Sequence, residues 1–267
     1  MTQVFFNNCQ LIKSPVSNTP VVFQCDETFF NNYGIYNLIS CEKNNIDVHI
    51  HFINPTQTFL DKINKLDTKI HLSYSKEYID TDINFYKLKS YYFCSRYYIT
   101  NYLFDHDLIQ AAFITDADVI FNEKIKIPED KKLGILYYPT HDNLWKQTGA
   151  NISYVSKERK HFLEKVIHIY EQRLQDIDFD AITTEMSKLE RSNLYALDQV
   201  CMSLALEEKF VDQYFINLTS IPNLISKNNT NKIWSLTGAG QKSNPTVHKA
   251  LNDMFEPYLA SQFANFR

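Results

Sequence analysis

Phe113-Ile114-Thr115-Asp116-Ala117-Asp118-Val119-Ile120-Phe121 sets two carboxylates one residue apart in an apolar run that holds no opposite charge. Like charges so placed repel each other and lose water, so the arrangement calls for a cation. Ala111 to Thr115 reads as a fully buried parallel strand, and open α/β sheets bind ligands outside the carboxyl ends of their strands. Asp116 and Asp118 then stand at the ligand edge. Residues i and i+2 of an extended segment share one side, so both acids can face one hard divalent cation, magnesium or manganese, bridging a diphosphate. The triplet also fits a plainer role, with Asp116 capping a turn and Asp118 a solvated loop acid.

Upstream, Val21 to Asp26 reads as a buried strand ending in an acid, followed by a helix from about Phe29 to Cys41. Ile46 to Ile53 reads as a second strand stopped by Asn54-Pro55, Thr56 to Leu66 as a short helix, and Lys69 to Tyr74 as a third strand. Strand and helix alternate, which predicts a parallel sheet with right-handed crossovers. From Lys87 to Phe104 apolar residues recur at three and four, so a helix carrying Arg96 leads into the acidic strand.

Downstream, Val119 to Phe121 runs into a polar turn, Leu133 to Tyr138 and Ile152 to Val155 read as strands, and Lys157 to Leu174 as a surface helix. Asp198 to Leu206 reads as a buried helix opened by an acidic N-cap. Two of the protein's five glycines, Gly238 and Gly240, fall in a loop with Lys242, which fits either a phosphate-binding loop or a surface turn before a terminal helix from Pro245 to Leu259. No strand-loop-helix of the Walker type accompanies them, so a P-loop nucleotidase is not indicated.

At 267 residues the chain has ample length for one large α/β domain. A net charge of -4 removes the usual case for a nucleic-acid binder and leaves a small-molecule partner. Five scattered cysteines, with no Cys-x-x-Cys, suggest neither disulfides nor zinc, and reduced thiols suit a cytoplasmic setting. The start lacks a basic segment followed by an apolar run and no window is long enough to span a membrane, so the expected location is cytoplasmic, peripheral to a membrane only through an acceptor. The sequons at Asn151, Asn217 and Asn228 then carry no sugar.

A strand with a terminal Asp, a βαβ core, an Arg-bearing helix, a strand opening into Asp-x-Asp, Gly149-Ala150-Asn151, Asp198-Gln199 and a late Gly/Lys loop follow one another in this order. The order resembles the GT-A glycosyltransferases, most closely the family-8 type, over about Val21 to Ser243. The resemblance implies an α/β, Rossmann-like fold with a mixed, mostly parallel sheet flanked by helices and a C-terminal extension. Residues 1–125 would form a nucleotide-sugar half, 126–243 an acceptor half and 244–267 a terminal helix. It implies a metal-dependent hexosyltransferase that moves a sugar from a nucleoside-diphosphate sugar, a UDP-sugar, to a glycan or other hydroxyl, with retention. Asp26 would lie near the base, and Arg96, Asp116, Gly238 and Lys242 against the donor. Asp116 and Asp118 would hold Mn2+ or Mg2+. Asp198 and Gln199 would flank the reacting carbon, and His141, Asp142 and Trp145, with Tyr137 and Tyr138, would meet the acceptor.

The chain departs from that family in two places. Gly149 stands where the family has a sugar-contacting Asn, and Ser235 where it has a metal-binding His, leaving coordination weaker, completed by water, or supplied by His248. Inverting chemistry would need a carboxylate base, for which Asp198 and Asp142 are the candidates. Two other readings stay open: a nucleotide-sugar-binding protein without turnover, and a nucleotidyltransferase, which lacks here a glycine-rich basic signature after the first strand.

Overall fold

The computed structural model describes residues 6, 8–80, 82, 84–178, 196–206, 210–226, 229–236, 242 and 244–266. Among the described residues eight strands form one mixed sheet flanked by helices. In chain order they are β1 (Gln10–Lys13), β2 (Val21–Cys25), β3 (Val48–Ile53), β4 (Leu72–Glu77), β5 (Ala111–Thr115), β7 (Leu133–Tyr137), β8 (Thr148–Ser156) and β9 (Phe215–Asn217). Their spatial order is β1-β4-β3-β2-β5-β8-β7-β9. β4, β3, β2 and β5 run parallel, whereas β8 is antiparallel to both neighbours and β1 closes the far edge antiparallel. A three-stranded sheet joins β6 (Val119–Phe121), β11 (Ile233–Ser235) and β10 (Ile225–Ser226).

The helices pack in two layers. On one face Phe23, Ile50 and Phe52 meet α1 (Ile35–Lys43), α2 (Gln57–Asn64) and the terminal helix, Pro245–Ser261. The other face, with Val22, Ile114 and Ile135, meets α3 (Phe85–Asp105), α4 (Lys160–Asp176) and α5 (Leu197–Leu206). Burial of these side chains, about 1.5–3 kcal/mol each, is what holds the layers together. The five cysteines are unpaired. Among the described residues no helix is long and apolar enough to cross a membrane.

Three elements differ most from expectation, and one is β8, which starts at Thr148 and not at Ile152. The third strand is Leu72–Glu77 and not Lys69 to Tyr74, because Ser73, Ser75 and Glu77 are buried against the imidazoles of β3 and only look like surface residues in sequence. The first helix starts earlier, at Glu27, where Asp26 accepts from Phe29 N at 2.7 Å, and passes through a π-turn over Phe30–Gly34 before α1. The strand stop at Asn54 has a physical cause: φ is 50°, and its carboxamide exchanges two hydrogen bonds with the Ile79 backbone, at 2.7 and 3.1 Å. Asn54→Ala is expected to lose about 1–3 kcal/mol in urea unfolding, through both bonds and the left-handed backbone. An unchanged midpoint would show that the bridge is idle.

Candidate functional site

β5 stops at Thr115, and Asp116 to Asp118 is a turn leading into β6. The turn is fixed from the sheet and from one helix layer, since Asp116 N donates to Asn151 O on β8 at 3.1 Å and Asn37 Nδ2 on α1 donates to Asp116 O at 3.2 Å. The extended geometry expected of the triplet is therefore absent, and each carboxylate meets its own cation.

Arg96, on α3, is 1 % exposed and bridges two acids. Nη1 donates to Asp116 Oδ1, and Nη2 to Asp198 Oδ2 at 2.6 Å. Asn151 Nδ2 reaches the other Asp116 oxygen at 3.3 Å and also Ser235 Oγ at 3.1 Å. Asp198 lies inside the first turn of α5, buried on Arg96, and is not the expected N-cap. Burial pushes its carboxyl up to about 6 despite the neighbouring guanidinium, with Asp116 adding in the same direction.

The antiparallel pairing of β6 with β11 brings the C-terminal region back to the turn, where Leu236 N donates to Asp118 O at 3.1 Å. Lys242 Nζ then lies 2.7 Å from Asp118 Oδ2. Asp118 is buried, and desolvation with the charge of Asp116 raises its pKa while Lys242 pulls it down. Its Oδ1 is shut off from solvent and has no hydrogen-bond partner among the described residues.

Over this turn, at the carboxyl ends of β2 and β5, opens a cavity of about 590 Å³. Asp26, Asp116, Asp118 and Lys242 line it, together with Phe29, Phe85, Lys89, Tyr92 and Phe93. The sequence reading missed that last group except through the general richness in aromatics. The signal was present: Phe85, Lys89 and Phe93 recur every four residues as a second stripe on α3, and Lys89 Nζ lies 5.8 and 6.0 Å from the two ring centres.

The remaining candidates gather elsewhere. His141, Asp142 and Trp145 sit on the loop and short helical turn, Leu144–Gln147, between β7 and β8. That turn is tied to α5, because Ser203 Oγ donates to Leu144 O at 2.7 Å and Thr148 Oγ1 to Gln199 O at 2.9 Å. Tyr138, His141 and Asp142 are exposed, whereas Trp145 Nε1 is buried without a hydrogen-bond partner among the described residues. Gln199 and Asp198 therefore share a neighbourhood with the acceptor candidates, and none of the five residues from His141 to Gln199 named here lines the cavity. Gly238 lies outside the described residues. His248 Nε2 donates to the carbonyl oxygen of Lys242.

A divalent cation requires several free oxygen or nitrogen donors. Both Asp116 oxygens are engaged, one Asp118 oxygen holds Lys242, the other faces protein interior, and Ser235 Oγ accepts from Asn151. Among the described residues no group of three or more His, Cys, Asp or Glu is placed to hold a metal. The donor set does not form a metal shell. No protein-family model and no curated protein matches the chain.

Proposed function

We propose that the protein is a GT-A-type glycosyltransferase that moves a sugar from a nucleoside-diphosphate sugar, with a UDP-sugar as the expected donor, to an acceptor hydroxyl with retention. The observation that carries this reading is the Asp116 to Asp118 turn opening into an aromatic cavity at the carboxyl ends of two adjacent parallel strands. Open α/β sheets take their ligands there, and a nucleotide needs what this lining offers: ring faces for the base and ammonium groups for the phosphates. The acceptor would approach from the His141 to Trp145 side, where Gln199 lies in the first turn of α5. Mn2+ or Mg2+ on Asp116 and Asp118 is what the family likeness implies; the engaged carboxylates do not support it, and no step is assigned to a metal.

A second reading, nucleotide-sugar binding without turnover, is favoured by one observation. Asp198, the strongest acidic candidate beside the reacting carbon, is buried and consumed by Arg96. Release of nucleoside diphosphate from the bound donor separates the two.

Thermal unfolding against a panel of nucleotide-sugars, with and without manganese, tests the shared premise. At about 100 times its Kd the right donor should raise the midpoint by roughly 5–10 °C. Phe85→Ala should weaken that binding about 5- to 100-fold, the cost of losing one stacked base contact, and leave folding intact because Phe85 is 63 % exposed. No response to any nucleotide-sugar sinks both readings.

A further inference from the structure

The cavity already contains a cation where the metal would be expected. Lys242 Nζ is 2.7 Å from Asp118 Oδ2, and 4.8 and 5.6 Å from the ring centres of Phe29 and Tyr33. Its carbonyl oxygen accepts from the Tyr33 hydroxyl at 3.4 Å and from His248 Nε2, which fixes the backbone from two elements. An ammonium has three N–H donors and Asp118 uses one, so donors remain for a ligand. At 30 % exposure the side chain faces the cavity, and Lys89 lines the same space.

We propose that Lys242 takes the place of the divalent cation, so that this protein binds the diphosphate of its donor and transfers the sugar without a metal. The inference rests on the nucleotide-sugar reading and specifies how that site handles charge. As the bond from the anomeric carbon to the β-phosphate oxygen breaks, its electron pair leaves on that oxygen, and the Lys242 ammonium offsets the new charge while keeping its own protons. The acceptor oxygen forms the new bond to the anomeric carbon, and its proton goes to the released phosphate oxygen. Asp118 holds the ammonium in position, which explains a buried acid at the place of a metal ligand.

The test uses full-length protein stripped with EDTA and titrated calorimetrically with UDP, ADP and GDP, then again with manganese restored. One diphosphate should bind in EDTA, with an affinity that manganese leaves unchanged. Lys242→Met should weaken it about 10- to 100-fold, the loss of a charge-assisted contact, with no recovery on adding manganese, and Lys242→Arg should retain most of it. The electron paramagnetic resonance signal of Mn2+ should stay that of the free ion in the presence of protein. Diphosphate binding only with manganese overturns the inference and upholds the nucleotide reading, whereas Mn2+ bound by wild type and lost in Asp118→Asn overturns the inference alone. No diphosphate binding under either condition overturns the nucleotide reading and this inference with it. Should Lys242→Met not fold, the wild-type titration in EDTA decides.

Discussion

Arg96→Met should cost about 3–5 kcal/mol of stability, the largest effect of any single substitution in the site. The guanidinium is buried between two carboxylates from different parts of the chain, Asp116 after β5 and Asp198 on α5. Removing one member of a buried ion pair leaves the partner desolvated without compensation, which costs far more than the pair itself contributes. Here two acids are left facing each other, so at neutral pH one must take up a proton. Asp198 would take it first, because burial already holds its carboxyl at about 6. Arg96→Lys should fall between wild type and Arg96→Met, since one ammonium nitrogen cannot span Asp116 and Asp198 as the two terminal nitrogens of the guanidinium do. Adding Asp198→Asn to Arg96→Met should recover part of the loss, with a coupling of about 1–3 kcal/mol in the double-mutant cycle. Urea midpoints at pH 7 measure wild type, the two Arg96 variants, Asp198→Asn alone and the double variant. A cost below about 1 kcal/mol, the range of an exposed ion pair, would show that the acids relax into solvent and that the bridge does not hold the site together. Nucleotide binding should fall with stability in Arg96→Met, because Asp116 would lose the partner that orients it.

How legible this site was in sequence depended on the kind of signal. β2 and β5 were read to the residue or nearly so, since continuous apolar runs ended by an acid admit one assignment. Asp26, Asp116, Asp118 and Lys242 do line one cavity, although Lys242 arrives only through the pairing of β11 with β6, a long-range contact that no local pattern encodes. Asp198 was misread as a cap because a helix-opening acid looks the same whether it bonds its own backbone or an arginine far along the chain. The stripe of Phe85, Lys89 and Phe93 was hidden behind a stronger one on the same helix, the buried tyrosines of the core. β4 was placed too early for a related reason. Ser73, Ser75 and Glu77 read as polar surface until the imidazoles of β3 are set against them.

Those imidazoles make the protein's response to acid a second sensitive measurement. Ser73 Oγ donates to Val48 O at 3.0 Å, so it accepts from His49 Nδ1, and His49 Nε2 is left to accept from Ser75 Oγ, each at 3.0 Å. Ser75 Oγ then accepts from His51 Nδ1 at 2.8 Å, and His51 Nε2 meets Glu77 Oε1 at 3.0 Å, where the Tyr91 hydroxyl also donates at 2.6 Å. His49 is neutral in this chain, and a second proton on its Nε2 would confront the Ser75 hydroxyl. Burial first, and His51 second, lower its pKa to about 3. The folded value lies below the ordinary value of 6.5, so the unfolded chain binds a proton that the native state refuses. The stabilisation is complete above pH 6.5 and is lost as pH falls toward 3, at about 1.4 kcal/mol per unit and up to about 4–5 kcal/mol in all. Asp198 acts in the opposite sense. Its folded value is raised, so its contribution is present below 3.8 and is lost as pH rises through about 6, roughly 3 kcal/mol over that window. Between about pH 4 and 6 the two slopes oppose each other and largely cancel in the wild type. His49→Gln, which keeps a donor and an acceptor without a basic nitrogen, should lose about 1–3 kcal/mol at pH 7 and close that gap to wild type steadily on acidification. Asp198→Asn removes the opposing slope, so its stability should drop more steeply than wild type from pH 6 to 4. Urea midpoints from pH 7 to 4 give both comparisons, and a His49→Gln deficit that does not shrink with acid would show that the His49 imidazole takes up its proton in the native state.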